Sequence, residues 1–159
     1  MQAAESAPER WFEDFLPGDV AEFGDYPMTE AEIIAFAERY DPQAFHTDPV
    51  AAQGSVYGGL IASGWHTAAA MMRLLVDHAI PPNASLGSPG VDELRWLKPV
   101  RPHDRLRVRV TVQEAVASRS KPDRGVVRSF TEVLNQKGEV VMTLRSMVMY
   151  RRRPAAAAG

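Results

Sequence analysis

Between Leu60 and Val76 the chain runs through a stretch that is almost entirely apolar or small, broken only by His66 and Arg73 and softened by Ser63, Gly64 and Thr67. Those polar residues leave it short of a clean membrane-spanning segment, so it reads as a core helix. The pair Gly58-Gly59 is expected to open this helix, and His78 to lie near its end. With apolar residues all round it, such a helix has to be covered on every side. Whatever else the chain folds into must do the covering.

The residues that follow are suited to that task. Leu106, Val108, Val110 and Val112 alternate with Arg105, Arg107, Arg109 and Thr111, the period-two pattern of a strand with one buried face. Val127, Ser129, Thr131 and Val133 lead into the turn Asn135-Gln136-Lys137-Gly138, and Val140 to Tyr150 forms the second arm of a hairpin. Val91 to Lys98 is a further strand, halted by Pro99, and Asp19 to Asp25 is a short first strand. Ahead of the core helix, Thr29-Glu30-Ala31-Glu32 is a capping-box pattern. Ile33, Phe36, Ala37 and Tyr40 then fall on one helical face, and Pro42 stops the helix at Asp41. Asp48-Pro49 is the cap and first position of another short helix, closed by Gly54. One apolar helix followed by long antiparallel strands predicts an α+β fold in which a sheet curls around that helix.

A length of 159 residues suits one domain, placed at residues 11–150, with flexible ends at 1–10 and 151–159. Eighteen Lys and Arg against twenty Asp and Glu give a net charge of −2, so no global basic field exists to collect nucleic acid or an anionic membrane. The absence of cysteine excludes disulfides, thiolate metal sites and a Cys nucleophile. The first ten residues lack the pattern of a secretory leader, which makes the cytoplasm the expected compartment. No His-Glu-x-x-His, phosphate-binding glycine loop, nucleophile elbow or nucleotide fingerprint is present, and His46 with Asp48 is too thin a set to predict a metal.

Chemistry concentrates in the loop Asp41-Pro42-Gln43-Ala44-Phe45-His46-Thr47-Asp48. A carboxylate and an imidazole five residues apart, on a segment fixed at both ends, are equipment for acid-base work on one water or substrate. The spacing suits a plainer role equally, with Asp41 capping a turn and His46 satisfied within the loop. The second place is Tyr57-Gly58-Gly59-Leu60-Ile61-Ala62-Ser63-Gly64-Trp65-His66. Paired glycines at a helix start would expose backbone N–H groups at the positive end of the helix dipole, where an oxyanion could sit. A tight turn, with Gly64 admitting a closely packed strand, is the alternative. His66 reads as a buried or interface histidine.

Taken together, Asp41-x4-His46 with Asp48-Pro49, the Gly58-Gly59-Leu60-Ile61-Ala62-Ser63-Gly64 segment and Trp96-Leu97-Lys98-Pro99-Val100-Arg101-Pro102 resemble the MaoC-like dehydratases, the group that contains the (R)-specific enoyl-CoA hydratases. The resemblance spans roughly Trp11 to Tyr150. It implies a hotdog fold, a homodimer or assembly of dimers, and reversible hydration of an enoyl thioester carried by CoA or acyl carrier protein, with no metal or redox cofactor. Asp41 and His46 would bind the reacting water, and the N–H of Gly59, supported by Gly58 and Ser63, would hold the thioester oxygen. Gln43-Ala44 stand where the hydratases usually have Asn-Pro, and Arg39-Tyr40 precede Asp41 where they have a small residue and Gly. The bulky Tyr40 and Phe45 are read as core residues, with a limit on acyl length as the alternative. His103 occupies a turn position that the family often gives to Gly. A hotdog thioesterase and a non-catalytic acyl-thioester-binding subunit are the other two functions compatible with these residues.

Overall fold

The computed structural model describes residues 7–157. Along the chain a 3-10 turn (Phe12–Asp14) precedes β1 (Val20–Pro27), α1 (Glu30–Tyr40), α2 (Ala44–Thr47), α3 (Pro49–Gln53) and α4 (Gly64–His78). Four strands complete it: β2 (Gly90–Trp96), β3 (Arg105–Ala117), β4 (Arg124–Leu134) and β5 (Val140–Arg151). The strands form one sheet in the order β1-β3-β4-β5-β2, with every neighbouring pair antiparallel. This is the expected α+β hotdog architecture, with α4 packed on the inner face of the sheet. Among the described residues no helix is long and apolar enough to cross a membrane.

Local chemistry explains most of the boundaries. Thr29 caps α1 by accepting from Glu32 N at 3.2 Å, and Asp48 caps α3 by accepting from Val50 N and Ala51 N. The β4–β5 hairpin turns where Asn135 Oδ1 accepts from Lys137 N and Glu139 N while Gly138 takes a φ of +75°. His103, in the turn before β3, holds a φ of +73°, a left-handed conformation that costs a non-glycine residue about 1–2 kcal/mol.

Register places the alternating residues as expected. Val108, Val133 and Met142 form one row across β3, β4 and β5, and all three are buried with Leu106 beneath Ala70, Met71 and Leu74 of α4. A second apolar cluster of Phe12, Phe15, Val112, Val127 and Tyr150 lies toward the other end of the long strands.

Three expectations need correction. The helix does not open at Gly58-Gly59: Ser63 is its cap, its side chain accepting from Trp65 N at 3.3 Å, and Gly64 is its first residue. Residues 59–63 instead lie against their neighbours, with Ile61 N donating to Phe45 O and Ala62 N to Val100 O. Nor is α4 covered all round within one chain, because Trp65, Met72 and Val76 remain exposed on the face away from the sheet. Tyr40 is not core; it is 61% exposed at the end of α1, whereas Phe45 is half-buried. At the chain ends, residues 1–6 and 158–159 of the expected flexible segments lie outside the described residues. Within them, Arg152 donates to Glu13 at 3.0 Å and Arg153 to Asp14 at 2.8 Å.

Leu106 is fully buried in the main cluster. Leu106→Ala should therefore lower the unfolding free energy by roughly 2–5 kcal/mol, read from urea denaturation followed by circular dichroism.

Candidate active site

The loop after α1 is drawn inward by α2, a single helical turn that buries His46. His46 Nδ1 lies 2.7 Å from the carbonyl oxygen of Ile61, which can only accept, so Nδ1 carries the hydrogen. That fixes the tautomer of the neutral ring and turns Nε2 toward Asp41, whose Oδ2 is 3.3 Å away. The carboxylate is itself held on both oxygens. Gln43 Nε2 donates to Oδ1 at 2.7 Å, and Ser63 Oγ donates to Oδ2 at 2.8 Å. Ser63 is fully buried, so the residue that caps α4 also anchors the carboxylate.

Burial pushes the Asp41 carboxyl up, but the hydrogen bonds from Gln43 and Ser63 and the neighbouring His46 more than offset it. The net effect holds Asp41 below the usual carboxylate range, in its ionised form. A neutral His46 would then present a lone pair to an anionic oxygen. A water donating one hydrogen to each, or a proton on Nε2, resolves that conflict.

Both side chains face a cleft of about 550 Å³. Phe45, Tyr57, Trp65 and Trp96 give it aromatic walls, Lys98 stands on its rim, and Val100 and Val141 contribute apolar surface. Trp96 seals one side against the start of α4, donating from Nε1 to Gly64 O at 2.9 Å. A Cβ at Gly64 would come within 2.4 Å of that indole, so the contact requires glycine. This is the close strand approach expected at Gly64. Among the described residues, neither Gly64 N–H nor Gly59 N–H donates to another residue.

Of the site residues expected from sequence, Asp41, His46 and Ser63 come together. Gly58 and Gly59 lie in the turn before the helix and outside the lining of the cleft; Gly58 has a φ of +64°, and Arg101 donates to the adjoining Tyr57 carbonyl. Gln43, Ile61, Gly64 and Trp96 were not anticipated as parts of the site. The Ser-Gly pair before Trp65 was a usable cap pattern, but the role of the Ile61 carbonyl left no trace in residue type. The basic residues near Trp96 are already occupied: Lys98 pairs with Glu139, and Arg95 with Glu93 at 3.0 Å. Among the described residues no three His, Asp or Glu side chains converge as a metal-binding set.

His66 is separate from this pair. It is 2% exposed and stacks on Phe36 at 4.8 Å, with Glu32 3.5 Å from Nε2 and no hydrogen bond to either ring nitrogen. Glu32 in turn accepts from the Tyr26 hydroxyl.

A family model described as MaoC like domain matches residues 14–151. A solved structure of a MaoC-like dehydratase from Rhodospirillum rubrum is 44% identical, covers 92% of this chain and 99% of its own, and superposes with a TM-score of 0.86. Protein MaoC of Klebsiella aerogenes is 32% identical over 103 residues, 64% of this chain and 30% of that protein. Mesaconyl-CoA hydratase of Cereibacter sphaeroides is 46% identical over 68 residues, 43% of this chain and 20% of that protein. The chain thus spans less than a third of the length of either of these two relatives.

Burial lowers the His66 imidazole from its ordinary 6.5, with Glu32 opposing the shift. The unfolded chain therefore takes up this proton first, so the stability tied to neutral His66 is complete above 6.5 and is lost as pH falls through the lower native value. In urea titrations across that range, His66→Gln should show a smaller loss of stability with falling pH than the parent protein.

Proposed function

The chain belongs to the MaoC-like domain family, and from that membership we propose that it is a hydro-lyase, reversibly hydrating an α,β-unsaturated acyl thioester to the (R)-3-hydroxyacyl thioester. The family and its hydratase and dehydratase members support the reaction class. The observation that carries the reading is the 3.3 Å approach of His46 Nε2 to an Asp41 carboxylate already secured by Gln43 and Ser63.

The chemistry needs three things at once. Water must lose a proton as it attacks Cβ, Cα must gain one, and the enolate charge on the carbonyl oxygen must be stabilised between these events. A water donating to His46 Nε2 and Asp41 Oδ2 would aim a lone pair into the cleft, and the Asp41–His46 pair can take its proton. That proton then returns to Cα. The carbonyl oxygen falls to the unpaired backbone N–H of Gly64, which lines the cleft at the positive end of α4. No metal or redox group takes part in these steps; CoA or acyl carrier protein arrives with the substrate.

Retention of both proton-handling groups favours hydration over thioester hydrolysis, which would leave His46 without a task. The exposed Trp65, Met72 and Val76, spaced along one face of α4, support a homodimer as the working form. A cytoplasmic location is part of the same proposal.

Asp41→Asn and His46→Ala should each slow hydration of crotonyl-CoA by roughly 10²–10⁴-fold while unfolding as cooperatively as the parent. The assay is loss of enoyl-thioester absorbance without release of thiol. Free CoA would indicate a thioesterase, and neither change a binding subunit. In sedimentation the protein should run at twice the chain mass, and Met72→Asp with Val76→Asp should shift it to a monomer; a parent already monomeric would remove the dimer from the proposal.

A further inference from the structure

The inner face of the sheet carries two apolar clusters, and three hydroxyls stand among the apolar residues where they meet. Register aligns Val110, Thr131 and Leu144 in one row across β3, β4 and β5, and Val112, Ser129 and Ser146 in the next. Three hydroxyls thus occupy adjacent inward positions where the neighbouring rows have valine and methionine. They line a cavity of about 270 Å³, roofed by Leu75 and Ile80 near the end of α4 and closed at one side by Tyr150. Thr131 is only 2% exposed and Tyr150 5%. Among the described residues, none of these four hydroxyls hydrogen-bonds to another residue.

Thr131 and Tyr150 are buried and Ser129 and Ser146 half-buried, so the four hydroxyls open onto the cavity and are left to hydrogen-bond with whatever occupies it. Water is a poor candidate. The volume corresponds to about nine molecules at liquid density, each needing two to four polar partners, and the walls are largely Val, Leu and Phe15. Burial pushes the Tyr150 phenol up to about 12, so it stays an O–H donor. At the mouth Arg10 and Asp19 face each other at 3.9 Å, and the Arg10 guanidinium lies 4.0 Å over the Phe15 ring. The charges there balance, which favours no ion. The cavity shares no lining residue with the Asp41–His46 cleft, which sits at the opposite end of α4.

We propose that this cavity is a second, non-catalytic binding site for a neutral, oxygen-bearing hydrophobe of the medium-chain aliphatic alcohol or ketone class, its oxygen among Ser129, Thr131 and Tyr150. Since a cavity of about 150 Å³ accommodates benzene, this one suits about ten non-hydrogen atoms. The inference does not rest on the hydratase reading, and its test does not use activity.

The full chain, labelled with ¹⁵N, is titrated with 1-octanol and separately with sodium octanoate. Saturable amide shifts around Thr131, Ser146 and Tyr150 are expected with 1-octanol, while amides around Asp41 and His46 stay in place. Thr131→Val, which keeps the shape and removes the hydroxyl, should weaken binding about three- to tenfold. Val110→Phe should abolish it by filling the space. If Thr131→Val fails to fold, Ser129→Ala takes its place with the same expectation. The proposal is overturned by an absence of saturable shifts, by shifts confined to the Asp41–His46 cleft, by octanoate binding as tightly as the alcohol, or by unchanged affinity in the hydroxyl variants.

Discussion

The hydroxyl of Ser63 joins the fold to the chemistry. It accepts from Trp65 N to start α4 and donates to Asp41 Oδ2, so one buried atom sets where the core helix begins and where the carboxylate points. Remove the hydroxyl, and the helix loses a cap worth about 1 kcal/mol while the carboxylate loses one of its two anchors. The second anchor is as local as the first is distant: Gln43 lies two residues along the chain, Ser63 twenty-two. Asp41 is therefore immobilised by its own loop and by the helix that the sheet encloses.

His46 is set in the same way. Its Nδ1 is committed to a backbone carbonyl in the extended segment before α4, and that segment is held by Phe45 O and Val100 O. A histidine whose far nitrogen is fixed by buried backbone cannot rotate away from its partner, so the 3.3 Å approach to Asp41 is a property of the core and not of a mobile loop. Trp96 completes the enclosure. Its indole rests directly on the Gly64 backbone, bringing β2 against the start of α4 and giving the cleft a wall where any side chain at residue 64 would intrude.

Much of this was legible in residue order. Alternation at Leu106–Val112 and Val127–Val133 located two of the strands and β-rich runs the other three, Asn135 to Gly138 located the hairpin, and Thr29 and Asp48 located two helix starts, because capping and alternation act over a few residues. The Asp41–His46 pair was visible as spacing, and the family resemblance gave it meaning. The glycine pair misled because glycine marks a backbone conformation without saying which. Gly58 serves a left-handed turn six residues ahead of the helix, and Ser63 was the true start. Tyr40 misled for a related reason: it lies on the periodic face of α1, but at the last residue of that helix, where the side chain is left exposed.

Sequence alone therefore determined the kinds of element, their order and the residue types available for proton transfer, since these follow from local propensity and spacing. Only the tertiary structure decided that Ser63 and Gln43 would share the two oxygens of Asp41, that Ile61 O would choose the tautomer of His46, and that three strand hydroxyls would line a separate cavity. Each of these depends on atoms brought together from distant parts of the chain or by strand register, and burial is what gives those meetings their strength.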